Sequence, residues 1–80
     1  METSGEAQMR TIDFGTLVQF RDKENWLLLA VRYFFPFDGP GVWEVMAPSG
    51  AVLETHKDKQ SAVDAAMAYL AMKKLKGEIE

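Results

Sequence analysis

Apolar residues recur along residues 58–76 with the period of a helix. On a wheel of 100° per residue that starts at Ala62, the positions Ala62, Ala66, Leu70, Val63, Tyr69 and Ala65 fall within an arc of about 160°. Asp64, Gln60 and Ala71 lie opposite. The pattern predicts a helix from Asp58 to Lys76 with one buried stripe. Asp58 is suited to cap its first turn, Lys73, Lys74 and Lys76 fall at the negative end of its dipole, and Gly77 supplies a left-handed stop. The small side chains at 62, 65 and 66 let the helix axis come close to whatever it covers.

Upstream the period changes to two. Thr16–Arg21 alternates Leu17, Gln19 and Arg21 against Thr16, Val18 and Phe20, and its β-branched and aromatic content predicts a strand. The polar tetrad Asp22-Lys23-Glu24-Asn25 then reads as a turn. Residues Trp26 to Phe35, WLLLAVRYFF, admit two readings. As a helix the segment would be apolar almost all round. As a strand it sets Leu27, Leu29, Val31, Tyr33 and Phe35 against Trp26, Leu28, Ala30, Arg32 and Phe34. Pro36 and the tight preceding turn favour the strand, although Leu-Leu-Leu-Ala has helical propensity.

Phe37-Asp38-Gly39-Pro40-Gly41 is turn-forming, and Val42–Ala47 alternates Trp43, Val45 and Ala47 against Val42, Glu44 and Met46. Pro48-Ser49-Gly50 closes a hairpin into Ala51–Thr55, and His56-Lys57 leads to the helix. The expected fold is α+β: an antiparallel sheet of three to four strands, in β-β-β-β-α order, packed on one C-terminal helix. Residues 1–10 have no apolar period and read as a disordered tail, 11–77 as one domain and 78–80 as a second short tail.

Composition agrees with a small self-supporting domain. The 80 residues are 48% hydrophobic and 26% charged, without cysteine, so packing alone must supply the stability, and disulfides and thiolate chemistry are excluded. No apolar run reaches membrane-spanning length and the N-terminus lacks the pattern of a signal peptide, which points to the cytoplasm. The formal net charge is -3, but Thr11–Gly77 carries eight acidic and eight basic side chains. A neutral body neither steers toward phosphate nor repels it strongly.

Candidate chemistry is sparse. His56 is the lone histidine, and Glu54 and Asp58 two residues to either side make no catalytic or metal set on their own. Ser49 in Ala-Pro-Ser-Gly lacks a nucleophile elbow and a partner base, and Gly39-Pro40-Gly41 does not open a helix, so it forms no phosphate cradle. The residues therefore point to a non-enzymatic protein without cofactor or metal. What stands out is an aromatic surplus: Trp26, Tyr33, Phe34, Phe35, Phe37 and Trp43.

One helix covers one face of a sheet, so a strand apolar on both faces leaves a patch to be covered. The candidate occupants are a second copy of the chain, another protein, the segment around Ile12 and Phe14, or stacked bases. Trp26, Leu28, Arg32, Phe34 and Phe37 are the partner-binding candidates, and protein, including a homodimer, is favoured over nucleic acid. A nucleic-acid binder would use the sheet with Arg32, Lys57 and Lys59, but the central strand offers one basic residue among its aromatics.

Trp43-Glu44-Val45, with Gly50 five residues on, followed by Asp58-Lys59-x-x-Ala62-x-x-x-Ala66, resembles a family of small uncharacterised bacterial domains that carry a W-x-V strand, a hairpin and a T-K-x-x-A-x-x-x-A helix. More loosely it resembles the three-strand-plus-helix arm-binding domain of phage-type integrases, whose strands lie on DNA. The resemblance covers about 30 residues and implies a sheet-plus-helix fold. Asp58 stands where the family has Thr, and positions 42–55 hold Glu44 and Glu54 but no Lys or Arg, so the resemblance implies no DNA contact here.

Overall fold

Five strands precede one helix in the computed structural model, which describes residues 9–75. They are β1 (Met9–Asp13), β2 (Leu17–Asp22), β3 (Leu27–Phe34), β4 (Val42–Met46) and β5 (Val52–His56), followed by α1 (Lys59–Leu75). Each strand pairs antiparallel with its neighbours in sequence, giving a meander in the order β1-β2-β3-β4-β5. The α+β sheet-and-helix architecture is the expected one. The strand number is not: five replaces three to four.

The added strand is β1, whose sequence Met-Arg-Thr-Ile-Asp shows neither a long apolar run nor a clean alternation. It forms because an edge strand needs only one partner, and charged side chains suit such an edge. Thr11 lies opposite Phe20 and Asp13 opposite Val18, while Met9 packs against the core. The strand begins two residues inside the segment read as a tail. Residues 1–8 and 76–80, and with them the expected helix end at Lys76, the Gly77 stop and the 78–80 tail, lie outside the described residues.

Turn chemistry sets the register. Gly15, at φ 93°, turns β1 into β2 while its amide donates to Asp13 Oδ1 at 2.7 Å. Asn25 takes φ 73° in the turn between β2 and β3, where Asp22 Oδ1 accepts from the amides of Glu24 and Trp26, both at 2.9 Å. Asparagine tolerates this left-handed conformation better than most side chains.

Residues 27–34 form the middle strand of the sheet, between β2 and β4. The strand reading prevails over helical propensity because both neighbours satisfy its backbone and α1 covers one of its faces. The core holds Val18 and Phe20 from β2, Leu29 and Val31 from β3, Val45 from β4, and Ala62, Ala66 and Leu70 from α1. Val63, Ala65 and Tyr69 pack around it half-buried, as the helical period predicts. Asp58 caps the helix: its Oδ2 accepts from the Ser61 amide and its Oδ1 from the Ser61 hydroxyl, both at 3.0 Å. No helix among the described residues is long and apolar enough to cross a membrane.

Candidate functional site: the aromatic end of the sheet

Alternation gives the sheet a near face under α1 and a far face turned away from it. Directly opposed residues share a face. Near-face positions in the middle of the sheet, Val18, Val31 and Val45, are covered by the helix. The next near-face row, Tyr33 on β3, Trp43 on β4 and His56 on β5, runs past the N-terminus of α1. This row is the aromatic end of the sheet.

Tyr33 and Trp43 have ring centroids 5.1 Å apart at 56°, and Phe35 stacks on Tyr33 at 6.4 Å and 21°. Lys59 Nζ sits 5.7 Å from the Trp43 ring centroid and pairs with Asp13 Oδ1 at 3.0 Å. Hydrogen bonds from the Gly15 amide and then from Lys59 hold the Asp13 carboxyl below the usual aspartate range. On the other flank His56 Nε2 meets Glu54 Oε1 at 2.6 Å. The hydrogen bond to Glu54, then burial and the charge of Glu54, push the Tyr69 phenol up.

The far face has a different character at its middle. Ala30, its smallest side chain, is buried between Gln19 and Met46, which lie directly opposite it on the two neighbouring strands. Arg32 Nε donates to Glu44 Oε1 at 2.8 Å, and Glu44 is buried. The expected apolar patch across this face is therefore replaced by a closed polar pair and a shielded alanine. Exposed apolar surface gathers instead at the strand ends.

Of the five partner-binding candidates, two come together. The Arg32 guanidinium lies 5.8 Å from the Phe34 ring centroid on the far face. Phe37 follows in the loop after β3 and is fully exposed. Trp26, also exposed, is at the opposite end of β3, and Leu28 is half-buried against the core. Phe14 and Phe35, exposed at 62% and 72%, were not among the candidates. Phe14 reaches this end through the turn before β2, where the Tyr33 amide donates to the Thr16 carbonyl at 2.9 Å. The run Tyr-Phe-Phe-Pro-Phe, which ends the strand in aromatics just before a proline, is the signal that could have placed Phe35.

Arg32 does not share a surface with the other two candidate nucleic-acid residues. Arg32 belongs to the far face and is paired with Glu44, Lys59 lies at the start of α1 and is paired with Asp13, and Lys57 is exposed in the link before the helix. No group of three or more metal-ligating side chains gathers among the described residues. The chain matches no family model, no curated protein and no solved structure.

Proposed function

We propose that the protein is a small non-enzymatic interaction module that associates with a second copy of itself through the aromatic end of its sheet. The observation that carries this reading is the exposure of Phe14, Phe34, Phe35 and Phe37 together at one end of one sheet. Those four rings present on the order of 500 Å² to water, a large part of the ~800 Å² that each partner contributes to an interface of standard size. Apolar patches of this order are often functional surfaces.

Charge supports a second copy as the occupant. Of the ionic groups near the rings, Arg32 pairs with Glu44 and Lys59 with Asp13, while Asp38 is exposed in the loop directly after Phe37. With two of these charges already paired, this end carries little net charge and does not demand a strongly acidic or basic partner. Two-fold dimers, whose contact is isologous, are the commonest closed homo-oligomers. Light scattering over a hundredfold concentration range tests it: mass rising toward twice that of the monomer supports the reading, and a constant monomer mass removes it.

A further inference from the structure

At the other end of the sheet Arg10 on β1 and Arg21 on β2 stand directly opposite each other. Their side chains rise from the far face, where neighbouring like charges are destabilising. No carboxylate among the described residues offsets them, and their hydrogen-bond acceptors are neutral. Arg10 Nη2 donates to Asn25 Oδ1 at 3.1 Å, and Arg21 Nη1 donates to the Asn25 carbonyl at 2.8 Å. Arg21 Nε and Nη2 both donate to Gln19 Oε1, at 3.2 and 3.1 Å.

Both guanidinium groups thus converge on Asn25. Each guanidinium has five N–H groups, so these bonds occupy four of about ten and leave about six unused. The third arginine of this face, Arg32, shows the contrast, since it is paired with Glu44. Asp22 is the nearest carboxylate along the chain, but its Oδ1 already accepts from two turn amides. Lys23, Glu24 and Trp26 are exposed in the same hairpin, Trp26 immediately after Asn25.

We infer that Arg10 and Arg21 form a carboxylate-binding site for an acidic segment of a partner protein. Forked N–H groups match carboxylate oxygens two at a time, and the bonds to Asn25 and Gln19 fix the two guanidiniums before the ligand arrives. Nucleic acid suits the site less well. A polyanionic strand calls for a track of cations, whereas two unpaired guanidiniums on a chain of net charge -3 fit discrete carboxylates. The site lies at the end of the sheet remote from Phe35 and Phe37, and it stands whether or not the chain self-associates.

The test uses the full-length, isotope-labelled chain and three probes at one ionic strength: the peptide Gly-Glu-Phe-Glu-Glu-Phe-Gly, the same peptide with glutamine for glutamate, and decathymidylate. The acidic peptide is expected to shift the side-chain Nε–Hε resonances of Arg10 and Arg21, and to bind roughly tenfold more tightly than the glutamine peptide. Arg10→Gln, on an exposed edge strand, should weaken binding about tenfold while leaving the melting temperature unchanged or raised, because it removes a like charge. If Arg21→Gln fails to fold, Arg10→Gln decides alone. The inference is overturned by unshifted arginine resonances, by equal binding of the glutamine peptide, by tighter binding of decathymidylate, or by an Arg10→Gln variant that keeps its affinity.

Discussion

Tyr33 lies against the backbone of Gly41, its ring filling the space that a β-carbon at position 41 would need. The glycine thereby lets the tyrosine remain beside Trp43 across β3 and β4. Gly41→Ala must push the ring off that position. Overpacking of this kind typically costs about 1–3 kcal/mol, partly offset by the smaller conformational freedom of the unfolded alanine chain. A lowered melting temperature together with a changed near-ultraviolet circular dichroism signal from the Tyr33–Trp43 pair is the expected result. An unchanged spectrum would mean that the ring does not rest there in solution.

Ala66 is fully buried at the centre of the helical stripe, whereas Asp64 points to solvent and accepts from Gln60 Nε2 at 2.9 Å. Ala66→Asp strands a carboxylate in the core between helix and sheet without a partner, a loss on the order of 3–5 kcal/mol that is comparable with the whole stability of a small domain. Asp64→Ala removes one exposed helical pair worth about 0.2–0.5 kcal/mol. Thermal melts of the two variants should differ accordingly, and an Ala66→Asp melting point within a couple of degrees of the parent would place a different face of α1 against the sheet.

The helix and its cap were legible because a period of 3.6 and an aspartate before it are local signals. Strand β1 was not, since in Met9–Asp13 the alternation that marks a half-buried strand is broken by charges that an edge tolerates. For the candidate site, alternation assigns faces but not distances. Trp26 and Phe34 were grouped as one patch, yet eight residues of strand at about 3.3 Å each separate them by roughly 26 Å. Nor could local sequence foresee that Glu44 would lie opposite Arg32 and close the middle of the far face, because that pairing is set by the register of β3 on β4.

Removing Arg32 leaves Glu44 buried with its partner gone. Arg32→Ala should therefore destabilise by about 1–3 kcal/mol, with the half-exposed Arg32 side chain keeping the figure toward the lower end. Glu44→Gln in the same background should restore part of the loss. A double-mutant cycle in urea checks this, and equal stability of the single and double variants would show that the pair contributes nothing to the fold.

Acid should weaken the fold through two aspartates. The backbone and hydroxyl groups of Ser61 hold Asp58 below the usual value of 3.8, and the Gly15 amide and Lys59 do the same for Asp13. A carboxyl whose folded pKa is depressed contributes stability above its unfolded pKa and loses it as pH falls through the folded one. The melting temperature should therefore drop as pH falls below about 4, and the Asp13→Asn, Asp58→Asn double variant should show a shallower drop over the same range. Asparagine keeps the helix cap, so a parallel drop in the double variant would assign the acid sensitivity to other carboxyl groups.

Sedimentation velocity over a hundredfold concentration range, on the parent chain, on a Phe35→Ser, Phe37→Ser variant and on a Trp26→Ser variant, tests most directly whether the aromatic end is an interface between copies. The parent and Trp26→Ser should move from monomer toward dimer as concentration rises, while the double phenylalanine variant stays monomeric with an unchanged or higher melting temperature. A parent that sediments as a single monomer at every concentration, or a double variant that dimerises as the parent does, would contradict the account.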